Sequence, residues 1–95
     1  MPDVAVKGLS LQTKVGSESI GATGDNTVVI NGRDVMRVTD KFESHIHPGG
    51  SSHVPVLVEG SSIMFVNQQA VSYVGCKTDC DSVVKNGDSV LNIEQ

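Results

Sequence analysis

An all-β fold made of short β-hairpins is predicted for this chain on three observations. A strand-and-turn unit recurs along it, glycine and β-branched valine are plentiful, and large side chains are scarce. Ten glycines, together with more valine than leucine, favour strands and turns over helices. There is no tryptophan, one tyrosine (Tyr73) and two phenylalanines (Phe42 and Phe65). With 95 residues the chain forms a single domain, 1–95. Chains of this size bury only about two-thirds of their unfolded surface, so a metal, a disulfide or a partner is expected to support so thin a core.

The repeat sets the order of the elements. Val4-Ala5-Val6-Lys7-Gly8-Leu9 is the tail half of a unit whose front half is missing at that point. Gly24-Asp25-Asn26-Thr27-Val28-Val29-Ile30-Asn31 is the front of a complete unit, and it recurs as Gly60-Ser61-Ser62-Ile63-Met64-Phe65-Val66-Asn67. The match continues without a gap, Gly32 to Asp40 lying over Gln68 to Cys76. A shorter third copy is Gly87-Asp88-Ser89-Val90-Leu91-Asn92-Ile93. Each unit predicts a hairpin: a polar start, an apolar strand, a turn at Asn31-Gly32 or Asn67-Gln68, and a second short strand. Asn-Gly is a strong hairpin signal because both central residues of the turn take positive φ. Loops are expected over 10–23, 41–59 and 77–86.

The apolar strands run without alternation, as in Val28-Val29-Ile30, Ile63-Met64-Phe65-Val66 and Val90-Leu91. A continuous run implies cover on both faces. Either the short strands meet in one small core, or a partner covers the second face.

Charge and composition exclude several classes. The net charge is −4 with no basic run, so clustered lysines and arginines for phosphate neutralisation are missing and nucleic acid is not an expected partner. No apolar run is long enough to span a bilayer, and no basic-then-apolar leader opens the chain. Synthesis in the cytosol is the expectation. In that compartment the two cysteines, Cys76 and Cys80, are expected as free thiols or metal ligands, not as a disulfide.

The most concentrated chemistry lies in Ser44-His45-Ile46-His47-Pro48-Gly49-Gly50-Ser51-Ser52-His53, which contains all three histidines. Imidazole and thiolate are preferred zinc ligands, so the cluster and the cysteines point to a metal. His45 and His47 point the same way on an extended segment, with Ile46 opposite. Pro48-Gly49-Gly50 then reverses the chain so that His53 approaches from another side. No Gly-x-Ser-x-Gly elbow, Walker loop or dinucleotide fingerprint is present, and no catalytic residue is assigned.

These units resemble the PAAR-repeat proteins that tip the spikes of contractile phage tails and type VI secretion needles. The family's strand and turn, Gly-Ser-x-x-V-x-(V/I)-Asn-Gly, is similar to Gly60-Ser61-Ser62-Ile63-Met64-Phe65-Val66-Asn67 and to Val29-Ile30-Asn31-Gly32. Its Pro-Ala-Ala-Arg-x-Gly-Asp is represented by Asp34-Val35-Met36-Arg37-Val38-Thr39-Asp40, and more distantly by Ala70-Val71-Ser72-Tyr73-Val74-Gly75-Cys76. The likeness runs from about Val4 to Ile93. The chain departs from the family in its first loop, 10–23, which has no histidine.

The resemblance implies a small conical fold with internal pseudo-threefold repeats and a metal site at the vertex. It implies a structural Zn2+ held by His45, His47, His53 and Cys80, with iron as the alternative metal. Four protein ligands leave no open position, which marks a structural and not a catalytic zinc. Cys76 is expected as a small buried hydrophobe, the alternative being that it replaces Cys80 or one histidine. The implied function is mechanical: one copy caps a trimeric β-helical spike protein and meets the target-cell envelope transiently. Val28, Ile30, Ile63, Phe65, Val90 and Ile93 are the expected partner-binding residues, extending the spike's strands by backbone pairing.

The implied location is the virion, at the phage tail baseplate tip, after assembly in the host cytoplasm. The alternative is the bacterial cytoplasm with export by a type VI system. Because secretion tips often carry a fused toxin or adaptor, the bare domain favours the phage tail. A cupin-like metal-binding β-barrel enzyme is the competing reading, on His45-Ile46-His47-Pro48 and Val56-Leu57-Val58-Glu59-Gly60. It lacks the early Glu and the later His of that motif. A third possibility is an iron caged by a His-x-His pair from each of three chains.

Overall fold

The computed structural model describes residues 2–14 and 16–93. They form eleven short strands and no helix: β1 (Asp3–Val4), β2 (Leu11–Thr13), β3 (Ser19–Ile20), β4 (Asp25–Ile30), β5 (Arg33–Val35), β6 (His45–Ile46), β7 (Ser52–His53), β8 (Phe65–Val66), β9 (Gln69–Ala70), β10 (Val83–Val84) and β11 (Asp88–Asn92). The molecule is elongated, 37 × 24 × 22 Å. Its strands make five small antiparallel sheets, four of two strands and one of order β10-β2-β3. No closed barrel is formed among the described residues, which removes the structural basis for a cupin.

The expected hairpins are present. β4 and β5 are joined by Asn31 and Gly32 at φ 50° and 77°, and β8 and β9 by Asn67 and Gln68 at φ 49° and 70°. Both pairs have the positive φ that a two-residue hairpin turn requires. The third unit is completed from the other end of the chain: β1 pairs with β11, Asp3 opposite Asn92 and Val4 opposite Asp88. Val4, Val35 and Val71 therefore occupy equivalent positions, and each unit's first glycine lies against them. A Cβ on Gly24 would stand 2.8 Å from the Val35 carbonyl oxygen and one on Gly60 3.0 Å from that of Val71, while one on Gly87 would collide with that of Val4.

The three units are tied in rings. The Ala5 amide donates to the Ser72 carbonyl (3.1 Å), Ser72 to Met36 (3.0 Å) and Met36 back to Ala5 (2.9 Å). All three residues are fully buried. On the hairpin side a second ring runs from Lys7 to Asp34, Val38 to Ala70 and Val74 to Asp3, at 2.8–2.9 Å. On the loop side a third runs from Ala22 to Lys41, Val58 to Lys77 and Lys85 to Leu11, at 2.8–3.0 Å. Side chains break the symmetry where the backbone keeps it. Ala5 and Ser72 are small, and the long Met36 fills the remaining space, its Sδ 2.6 Å from where a Cβ on Gly21 would sit.

Two apolar clusters flank the central ring. Val4, Val6, Val35, Val66, Val71 and Ile93 pack among the hairpins, and Ala5, Met36, Phe42, Leu57, Cys76 and Val84 pack towards the loops. The expected loops are more structured than their composition suggests. The first contains β2 and β3, the second the β6–β7 hairpin and the third β10. These strands are two or three residues long, and neighbouring units specify them through backbone pairing more than their own side chains do.

The hairpins are also bound to one another by polar side chains. Asn67 Nδ2 donates to Asp25 Oδ2 (2.7 Å), Asn31 Nδ2 to Asp88 Oδ2 (2.9 Å), and Arg37 bridges Asp25 (3.1 Å) and Asp40 (3.3 Å). Hydrogen bonds from Thr27 and Asn67 hold the Asp25 carboxyl down at about 2. A carboxyl depressed in the folded state contributes stability above its unfolded pKa, near 3.8, and that contribution is lost as pH falls through the folded value. The stability of the wild-type chain, followed by denaturant titration, should therefore fall between about pH 4 and pH 2 more steeply than that of Asp25→Asn.

Each unit turns at a positive-φ residue after its ring segment: Gly8 (82°), Thr39 (84°) and Gly75 (98°). For a β-branched residue this conformation is a genuine outlier. Thr39 is exposed, so its side chain makes no compensating core contact. Thr39→Gly is expected to stabilise the protein by about 1 kcal/mol, read as a higher denaturant midpoint with unchanged slope.

Candidate metal centre

The β6–β7 hairpin grows from the second loop and carries the histidines. His45 lies opposite His53 in the register and Ile46 opposite Ser52. Alternation along β6 buries His45, at 2% exposure, and turns Ile46 out to solvent at 57%. His47, the next inward position, is half-buried. The reversal between the strands uses Gly49 and Gly50 at φ 101° and 95°, a conformation that costs glycine little.

Cys80 comes from a tight turn in the third loop. The Thr78 amide donates to the Ser82 carbonyl (2.8 Å), the Asp81 amide to that of Thr78 (3.1 Å), and Asp81 takes φ 66°. The Cys80 sulfur lies 3.3 Å from Thr78 Oγ1, donates to Ser82 Oγ at 3.6 Å, and faces His45 Nε2 at 3.6 Å. The ligand atoms of His45, His47 and Cys80 all lie within 4.8 Å of one another, as do those of His53, Asp79 and Cys80. The three imidazoles are stacked edge to face or tilted, with centroids 4.6–5.9 Å apart. Of the four residues read from the sequence as ligands, His45, His47 and Cys80 thus converge, while His53 meets Cys80 in a second group completed by Asp79.

The polar atoms around the cluster indicate what it is suited to hold. His45 Nδ1 is 2.9 Å from the Ser17 carbonyl oxygen. That oxygen only accepts, so Nδ1 carries the proton and Nε2 presents its lone pair towards Cys80. His47 Nε2 is buried without a hydrogen-bond partner. A buried, unsatisfied nitrogen is costly, and a cation beside it would remove the cost. The donor set of three imidazoles and a thiol fits zinc, which takes four such ligands at about 2.0–2.3 Å.

Two features were not evident from the sequence. Asp79 Oδ1 lies 3.0 Å from His53 Nε2 and also accepts from the Val56 amide at 3.2 Å. Partial burial pushes the Asp79 carboxyl up, but hydrogen bonding to His53 and to the Val56 amide outweighs it, leaving the group below its ordinary value. Such a carboxylate orients a metal-binding imidazole. Its one sequence signal was adjacency to Cys80. The second feature is a latch that the histidine-free first loop makes on β6. The Ser17 amide donates to the Ile46 carbonyl and Ser17 Oγ accepts from the Ile46 amide, both at 2.9 Å. Gly16 fits this latch because a Cβ there would run into the Ile46 carbonyl oxygen.

Cys76 stands apart, 1% exposed within the loop-side cluster. Burial pushes its thiol above the ordinary value. In the metal-free protein Cys80 should react readily with a thiol reagent while Cys76 stays protected, and zinc should protect Cys80 as well. Cys80→Ser should release the metal and destabilise the fold by several kcal/mol, whereas Cys76→Ala should cost about 1–2 kcal/mol with metal content unchanged. Elemental analysis beside denaturant melts separates the two.

The residues expected to bind a partner are sorted by the fold. Ile63, Phe65 and Val90 are exposed at 62%, 58% and 68%, and Val29 joins them at 49%. Val28 and Ile30 are partly buried against the hairpin-side cluster, because a register shift in β4 between Asp25 and Val29 turns Val29 outward in their place. Ile93 is 2% exposed, a member of that cluster and not a surface residue. This corrects the expectation for Ile93: the pairing of β1 with β11 carries it inward.

Compared with known proteins, the chain matches the family model of the PAAR motif over residues 10–86. No curated protein matches it.

Proposed function

Because the chain belongs to the PAAR-motif family, whose members are spike-tip structural proteins of contractile injection systems, we propose that one copy of it caps a trimeric β-helical spike and that a zinc ion hardens its far end. The observation that carries this reading is the cyclic ring Ala5–Ser72–Met36, which gives a single chain a threefold backbone. A symmetric trimer presents three equivalent strand ends, and one chain meets all three only if it repeats the same element three times about one axis. The hairpin β4–β5, the hairpin β8–β9 and the pair β1–β11 supply that repeat.

The chemistry of the two ends supports distinct tasks. The hairpin end exposes Val29, Ile63, Phe65 and Val90. Burying each against a spike contributes about 1.5–3 kcal/mol, and strand edges there offer backbone groups for pairing. The loop end contains the histidines, Asp79 and Cys80. A metal there would join the second loop to the third, and stiffness at that end is what a point driven into an envelope needs. The protein acts mechanically and not as an enzyme. It is assembled in the bacterial cytoplasm and is carried at the baseplate tip of a phage tail or, in the alternative, on a type VI spike.

Docking is tested by Ile63→Asp and Val90→Asp. Both side chains are exposed, so circular dichroism and metal content should stay unchanged while co-purification with a trimeric β-helical spike is lost. Mass measurement of the wild-type complex should give one copy of this chain per three spike chains. A three-to-three ratio would refute the symmetry match.

A further inference from the structure

We propose that Gln12, in the histidine-free first loop, is a positioning residue of the metal centre: it holds the Ser17 carbonyl where that carbonyl fixes the tautomer of His45. The inference rests on the metal site proposed above. Gln12 is fully buried in β2, opposite Val84 on one side and Ser19 on the other. Its Nε2 donates to the Ser17 carbonyl oxygen and to Ser19 Oγ, both at 2.9 Å. The same Ser17 oxygen meets His45 Nδ1 at 2.9 Å. Because a carbonyl oxygen only accepts, both neighbours must donate. The amide of Gln12 is therefore fixed with its nitrogen towards Ser17, and His45 keeps its proton on Nδ1 with Nε2 facing the Cys80 sulfur.

The other half of the same amide shows that packing alone does not explain the residue. Gln12 Oε1 is buried without a hydrogen-bond partner. An orphaned buried oxygen destabilises a fold, and a methionine of similar shape would remove it. A residue that satisfies two donors only by stranding an acceptor needs a reason to be there. The reason lies in the Ser17 carbonyl, which two donors hold in place while the Ser17–Ile46 hydrogen bonds set its distance from β6. Ligating histidines depend on such partners for tautomer and ring orientation, and losing one weakens metal binding by about 10–100-fold.

The test compares the wild-type chain with Gln12→Met. Zinc affinity is measured by chelator competition, thermal melting with and without zinc, and the His45 tautomer in the metal-free protein by long-range proton–nitrogen NMR. Without metal the variant should melt no lower than the wild type, yet its zinc Kd should be about 10–100-fold weaker. The wild-type His45 should be the Nδ1–H tautomer, and the variant should lose that preference. Equal zinc affinity in the two proteins, or an Nε2–H tautomer in the wild type, overturns the inference while leaving the metal site standing. Failure of the wild-type chain to bind zinc overturns both. If the variant does not fold, the wild-type tautomer decides.

Discussion

Everything in this protein hangs on three buried amides. Ala5, Met36 and Ser72 have no access to water, so each backbone N–H must find a protein acceptor. Each donates to the next in a cycle that closes at 2.9–3.1 Å. The cycle fixes the number of segments at three and forces them to share one axis. It also explains the poverty of large side chains. Close to the axis there is room for Ala5, Ser72 and one flexible methionine, and bulk is admitted only further out, as with Phe42 in the loop-side cluster.

From this ring the two ends diverge in chemistry. The hairpin end is held by short polar bridges through Asp25, Arg37, Asn31 and Asn67, which leaves its apolar side chains free to face outward. The loop end relies on small strands borrowed from adjacent units and on the β6–β7 hairpin, whose inward residues are imidazoles where a core would have aliphatics. Beside the loop-side apolar cluster the fold therefore gathers imidazoles and a thiol, and those groups suit a cation better than they suit each other, as the stranded Nε2 of His47 makes plain.

The repeat and the turns at Asn31-Gly32 and Asn67-Gln68 were legible because they depend on local backbone preference. The histidine cluster was legible because residues 45, 47 and 53 share one hairpin. What stayed hidden depends on contacts between distant segments. The strands inside the loops have two or three residues, too few to leave a periodic pattern. Ser17 and Asp79 act on imidazoles 28 and 26 residues away, and Gln12 acts through Ser17, by a carbonyl and a carboxylate that no motif marks. An uninterrupted apolar run such as Val28-Val29-Ile30 cannot say which member points outward, since the register shift in β4 decides that. Ile93 is buried for a similar reason, through pairing with the opposite end of the chain.

That pairing has a consequence for how the protein comes into being. The third unit is assembled from Asp3–Val4 and Asp88–Asn92, so the triangle lacks a side until residue 92 has emerged from the ribosome. Contacts this far apart in sequence carry the full entropy of loop closure before they return any stability. Val6 can bridge Val35 and Val4 can bridge Tyr73 before then, but the antiparallel partner of β1 comes last. Closure of the third unit is therefore a late event in folding, since its second strand comes last along the chain.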